Sequence, residues 1–283
     1  MRKSSKGWLI AAAVLVVIGL IMFVAVMTAN HWELSNLSTE ENITTVCDVT
    51  DSFDSISLTA DPADVFLTPS DDGKCRVIFF GREDMTHSAQ VQNGTLVINA
   101  VDERAWNERI GFNFKSPSVT VYLPEAEYES VTAGTSTGEI RIELISADSF
   151  DLCVTTGEIT VTDVTCQGDV NANVTTGDVS MINVACRNLL SDGSTGDVSL
   201  KNVIAAERLS VERSTGGVIF DRSDAADIFV RTSTGDVTGT LLTEKVFTAE
   251  SSTGSVNVPA ATAGGGCEIT TSTGDIDIAI ANE

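Results

Sequence analysis

Val170–Leu200, VNANVTTGDVSMINVACRNLLSDGSTGDVSL, decides how this chain folds. Within it Thr175-Thr176-Gly177-Asp178-Val179 is answered 19 residues later by Ser194-Thr195-Gly196-Asp197-Val198. Upstream the same motif reads Ser136-Thr137-Gly138-Glu139-Ile140 and Thr155-Thr156-Gly157-Glu158-Ile159. Downstream come Ser214-Thr215-Gly216-Gly217-Val218, Ser233-Thr234-Gly235-Asp236-Val237, Ser252-Thr253-Gly254-Ser255-Val256 and Ser272-Thr273-Gly274-Asp275-Ile276. The glycines stand 19 or 20 residues apart throughout, and a fixed period of that size marks a stacked repeat.

Apolar residues step by two on both sides of each glycine, as in Val170, Ala172, Val179 and Met181, or Leu209, Val211, Val218 and Phe220. That is the period of a strand, and no helical pattern intervenes. Each unit therefore reads as strand, Ser/Thr-Thr-Gly corner, strand, and a second, more variable corner. A unit this short cannot bury its own apolar face, so successive units must stack on one shared core. The expectation is an all-β fold: a single-stranded parallel β-helix, or β-solenoid, of about eight coils over 131–283. At ~4.8 Å per coil the rod is about 35–40 Å long. The eight corner glycines predict a positive φ or a backbone approach that a Cβ would block.

Outward from the repeat, the chain changes character twice. Residues 44–130 carry a non-repeating β pattern, with strands expected near 53–58, 63–67, 75–80, 95–100 and 118–123. Asp71-Asp72-Gly73 and Asn93-Gly94 read as turns, and Asp102 to Lys115 as a charged loop. This β-rich region is expected to cap the first coil, because a bare end exposes an edge that aggregates. Residues 30–43 read as a polar linker. From Trp8 to Ala29 no charge appears, which suits a transmembrane helix crossing ~30 Å of hydrocarbon. Arg2, Lys3 and Lys6 keep the tail 1–7 cytoplasmic and place the bulk outside. A cleaved signal peptide is the competing reading; its apolar core is normally shorter, and Met27-Thr28-Ala29 is a poor cleavage site.

The net charge of −23 argues against nucleic acid or bare anionic lipid as partners, since like charges repel. Six cysteines are even in number and permit disulfides outside the cell, but no C-x-x-C pair occurs. Cys47–Cys75 is one conceivable bridge. Cys166 and Cys186, one repeat apart, could stack within reach of another, and buried free thiols are an equal reading.

The membrane segment, the β-rich region and the run of Ser/Thr-Gly-Asp/Glu-Val/Ile units together resemble the bacterial putative-adhesin family of β-strand-repeat proteins, a domain of unknown function. The resemblance runs from about Val46 onward and implies the fold and an envelope location. It brings no catalytic residue.

The acid after each corner is the first candidate site. Glu139, Glu158, Asp178, Asp197, Asp236 and Asp275 would form a column of carboxylates ~5 Å apart, whose repulsion bound Ca²⁺ would relieve. The plainer reading has each carboxylate accepting backbone hydrogen bonds at its own corner. Only two histidines occur, His31 and His87, and G-x-S-x-G, P-loop and H-E-x-x-H motifs are absent. Gly264-Gly265-Gly266 reads as a loop rather than a phosphate cradle, and Trp106, Phe112 and Phe114 as cap packing or a contact loop. The expected function is non-enzymatic: adhesion or protein interaction through an envelope protein or a surface glycan, with no cofactor. An accessory sensor or scaffold of an envelope-stress system is the alternative, followed by a carbohydrate-active β-helix enzyme.

Overall fold

In the computed structural model, which describes residues 3–29, 31–32, 42–83, 85–102 and 116–281, the uncharged run becomes helix α1 (Lys3–Ala29). At 1.5 Å per residue it is about 40 Å long. Its Ile10–Ala29 stretch has a mean hydropathy of 3.1, long and apolar enough by length and composition to cross a membrane. The Thr28 hydroxyl donates to the Val24 carbonyl at 2.7 Å, so this polar group is satisfied within the helix. Trp106, Phe112, Phe114 and most of the 30–43 linker lie outside the described residues.

The described residues from 43 onward form one compact β unit. It begins with β1 (Asn42–Val49), β2 (Ser55–Asp61), β3 (Asp64–Pro69), β4 (Cys75–Arg82), β5 (Thr86–Gln92), β6 (Thr95–Val101) and β7 (Ser118–Leu123). Then follow β8 (Glu127–Tyr128), β9 (Ser130–Glu143), β10 (Ser146–Ala147), β11 (Phe150–Cys166), β12 (Asp169–Thr176) and β13 (Val179–Thr195). The remainder is β14 (Val198–Thr215), β15 (Val218–Thr234), β16 (Val237–Leu241), β17 (Lys245–Thr253), β18 (Val256–Asn257), β19 (Gly265–Thr273) and β20 (Ile276–Ile280).

From β9 to β16 consecutive units pair in parallel and in register. Ile140 meets Ile159, Ile159 meets Val179, Val179 meets Val198, Val198 meets Val218 and Val218 meets Val237. Like lies on like, so the expected β-branched ladder lines the core. Pairing continues through the corners, which is why β11, β13, β14 and β15 each run 17 or 18 residues.

The second corner is regular as well. Six residues past the glycine, Leu144, Asp163, Asn183, Asn202 and Arg222 all adopt φ between 52° and 56°. Asn tolerates that left-handed conformation better than most residues. Its amide also stacks: Asn183 Nδ2 donates to Asp163 Oδ1 at 2.7 Å, and Asn202 Nδ2 donates to Asn183 Oδ1 at 3.0 Å. The chain then makes a third straight run, burying Ala147, Cys166, Cys186, Ala205 and Ala225 as a column of small residues.

Stacking departs from chain order at both ends. β15 and β16 pair with β19 and β20, which in turn pair with β17 and β18. The unit of Gly274 therefore lies between those of Gly235 and Gly254, correcting the expected succession. Burial agrees, since Val237 and Ile276 are 0% exposed and Val256 is 43% exposed. At the other end Ile56 of β2 sits between Val131 of β9 and Leu96 of β6. Val65 of β3 likewise sits between Ile140 of β9 and Val119 of β7. The sheet is also mixed rather than wholly parallel: β5 runs antiparallel to β6, and β4 to β7. Two reversals cause this: the β5–β6 hairpin at Asn93-Gly94, with φ of 52° and 81°, and the turn at Gly73, after which β4 returns on the far side of β7 from β3.

Candidate functional site

The acidic column is placed at the corner, and its geometry explains the choice of Asp. Asp178 Oδ1 accepts the Asp197 N–H at 2.7 Å, and Asp197 Oδ1 accepts the Gly217 N–H at 2.7 Å. Asp236 accepts the Asp275 N–H at 2.8 Å, and Asp275 accepts the Ser255 N–H at 2.7 Å and the Ser255 hydroxyl at 2.8 Å. Each aspartate caps the next unit in the stack rather than its own corner. The Ser255 amide, and after it the hydroxyl, hold the Asp275 carboxyl below the usual range. Glutamate is one methylene too long for this. Glu139 instead pairs with Arg141 at 2.6 Å, and Glu158 accepts from the Thr160 hydroxyl at 3.2 Å. Among the described residues no group of three or more His, Cys, Asp or Glu is arranged to hold a metal ion.

The corner glycines are enforced by the same stack. A Cβ on Gly177 would lie 1.6 Å from the Gly157 carbonyl oxygen, and one on Gly274 would lie 2.1 Å from that of Gly235. No side chain fits there. Three residues before the glycine, hydroxyls reach the same carbonyls: Thr232 donates to Gly216 at 3.0 Å, and Thr271 to Gly235 at 3.1 Å.

The interior holds thiols, one of the two readings the sequence allows, and two cations that its pattern does not single out. All six cysteines are free thiols in the structure; Cys153 is exposed, whereas Cys75, Cys166, Cys186 and Cys267 are buried. Burial pushes Cys186 up to about 12 and Cys75 to about 11. Arg213 is 3% exposed and donates to the Ser191 carbonyl and hydroxyl at 3.1 and 2.9 Å, filling space that Gly193 leaves open. Burial lowers its pKa. Lys245 and Asp224 form a buried ion pair at 2.6 Å, and Lys245 also donates to the Thr243 hydroxyl. Two buried atoms of these groups stay without a hydrogen-bond partner among the described residues, Arg213 Nε and Asp224 Oδ2, and the Lys245–Asp224 pair lines a shallow pocket of about 370 Å³ with Ile204, Ala225 and Leu242.

The surface is different where β14, β15, β19 and β17 lie side by side. Outward rows there run Arg208, Asp227, then Gly266 and Val246, beside Ser210, Phe229, Glu268 and Thr248. Phe229 is half-buried, with the Arg208 and Arg231 guanidiniums over its ring at 5.8 and 5.7 Å. Neither arginine forms an ion pair among the described residues. Gly266 carries no side chain, and its N–H donates to Asp227 Oδ1 at 3.0 Å. The result is a groove of about 430 Å³ over Gly266, lined by Arg208, Asp227, Phe229, Glu268 and Thr248. A larger cleft of about 590 Å³ lies beside the stacked Phe53 and Tyr128, but there Arg76 is already held by Asp48 at 2.8 Å.

Comparison with known proteins agrees with this architecture. A putative adhesin from Bacteroides fragilis is similar in structure, at 15% identity and a TM-score of 0.55, covering 85% of this chain and 98% of its own. A putative lipid binding protein from Parabacteroides distasonis is similar at 16% identity and a TM-score of 0.57, covering 86% and 98%. At such identities the likeness concerns the fold alone. No curated protein matches the chain. The profile of one family matches twice, over residues 53–168 and 165–283, and on that ground the chain belongs to the Toastrack DUF4097 family.

Proposed function

We propose that this chain is a membrane-tethered binding module of the cell envelope, non-enzymatic, serving adhesion or protein interaction. In this reading residues 1–7 stay inside, 8–29 cross the membrane and 30–43 space the β unit from it. Regions 44–130 and 131–283 then lie outside, the latter wound as a parallel β-solenoid. The tether rests on the apolar Ile10–Ala29 stretch and the cations before it.

The observation that carries binding over catalysis is where the polar groups lie. Motif aspartates are engaged in capping neighbours, whereas two exposed arginines around Phe229 stand free of ion pairs among the described residues of a chain of net charge −23. The names of the two similar structures, adhesin and lipid binding protein, are both binding roles. A scaffold within an envelope-stress system is the second reading. It is favoured by the outer edge of β17, whose only strand partner along its length, among the described residues, is β19.

Topology is tested by adding a membrane-impermeant maleimide to intact cells that carry the full chain. The exposed Cys153 labels without permeabilisation if the β unit is outside. Labelling only after lysis overturns the reading. Retention of cell-surface material by the full chain in liposomes tests the binding role, and release of shortened glycan from that material would favour an enzyme instead.

A further inference from the structure

We propose that the outer edge of β17 takes up an extended basic segment of another protein by strand addition. The proposal rests on the protein-interaction reading above and names the site and the partner's chemistry. The nine residues of β17, Lys245–Thr253, pair with β19 on one side, and among the described residues no strand lies on the other. β18 likewise pairs with β20 alone. Backbone N–H and C=O groups along such an edge are a template for one more strand.

The end of the core specifies half of what that strand carries. Phe247 and Ala249 pack against the core yet stay only partly buried, whereas Cys267 and Ile269, their partners in register, are 2% and 0% exposed. A strand laid on β17 sets alternate side chains over Phe247 and Ala249, so apolar residues at those positions close the column. Charge specifies the other half. Glu250 is exposed on the edge strand, and Glu268 is exposed on the next one, in register with Thr248. From Thr232 to Ala281 every exposed formal charge is acidic: Asp236, Glu244, Glu250, Glu268, Asp275 and Asp277. The one base in that stretch, Lys245, is buried and already paired with Asp224 at 2.6 Å. Basic side chains at the remaining positions of the added strand answer these carboxylates. A second copy of this chain brings the same acids and a net charge of −23 to the edge, and an anionic glycan is repelled in the same way.

The test uses the full chain in nanodiscs at fixed ionic strength and three peptides of the length of β17. One alternates Val and Lys, one holds the same residues in two blocks, and one is the alternating sequence N-methylated at every residue. Only the first should bind, and its binding should slow amide exchange along β17 while leaving β13 unchanged. Glu250→Lys should weaken binding about fivefold, whereas Asp151→Lys, at an exposed acid in the middle of the stack, should not. Thermal unfolding should stay unchanged in both variants, since both side chains are exposed. Equal binding of the block or N-methylated peptide, absence of binding, equal loss in both variants, or unchanged exchange in β17 overturns the proposal. Self-association of the chain that Glu250→Lys alters would put a second copy on the edge and overturns it too. If it is overturned and the full chain in liposomes still retains cell-surface material, the binding role survives without this partner. If nothing is retained either, both fall.

Discussion

The middle of the repeat and its two ends are built from the same unit and stacked by different rules. Between β9 and β16 each unit lies on the one before it, and hydrogen bonds pass from Gly177 to Thr195, from Gly196 to Thr215 and from Gly216 to Thr234. At the end the succession is broken: the Gly235 N–H donates to Thr273, and the Gly274 N–H to Thr253. The difference teaches that the motif specifies a corner and not a neighbour. Every corner offers the same backbone carbonyls and amides, and most offer a carboxylate, at the same height, so one unit can stack on another out of chain order. Adjacency has to come from the connections.

Gly264-Gly265-Gly266 is that connection at one end. A Cβ on Gly264 would lie 2.1 Å from the Glu244 carbonyl oxygen, on the β17 side. One on Gly265 would lie 1.7 Å from that of Ala226, on the β15 side. The run is bare because the chain threads between two units already at stacking distance. At the other end β2–β3 is the inserted unit, between β9 and the β6–β7 pair. The two ends also differ in shielding, since β4 and β5 cover β7 and β6, whereas β17 has an edge uncovered by any described strand.

The largest expected effect separates the middle from the end. Gly177→Ala should cost more than about 4 kcal/mol in denaturant unfolding, because both the chain and its neighbour are fixed on each side. Gly254→Ala should cost roughly half as much, since the outermost unit can shift outward. Equal losses would break the comparison. Amide exchange should follow the same division, with β19 protected far more than β17 although β17 comes first in the chain. Next in size, Asp197→Ala should cost about 1 kcal/mol through the lost Gly217 cap, while Glu158→Ala should change stability by less than about 0.5 kcal/mol. A matched pair of losses would mean the column acts as a collective charge and not as caps.

The smallest effect is electrostatic. Asp275 is depressed in the folded state, so its cap contributes above the unfolded carboxyl value and fades as pH falls through the folded one. Exchange of the Ser255 amide should therefore accelerate below about pH 4, relative to amides in β13. Asp275→Asn should remove that pH dependence.

Much of the middle is legible in the sequence alone. Glycine spacing locates every corner, and the two-residue step in Val179 and Met181 identifies the buried face. The second corner carries a fainter signal: Asp163, Asn183 and Asn202 each stand six residues past a glycine and suit the left-handed turn found there. The β2–β3 unit is hidden because Ala63 stands where the others have glycine. Yet Asp64 accepts the Glu139 N–H at 3.0 Å as its counterparts do, and Val65 and Leu67 occupy the same buried steps. The groove around Phe229 has no such signature. Gly266 and Glu268 reach it only because β19 is inserted beside β15, and spacing along the chain does not report that neighbour.

The insertion is the central claim, and paired cysteines test it most directly. Thr238 lies in register with Asp277, which in turn meets Asn257, and cross-strand neighbours ~4.8 Å apart are within disulfide reach. In a Cys153→Ser background, Thr238→Cys with Asp277→Cys should oxidise readily in the folded full chain. Thr238→Cys with Asn257→Cys, two ladder steps apart, should stay reduced. Ready oxidation of the second pair and not the first would restore stacking in chain order and contradict the account.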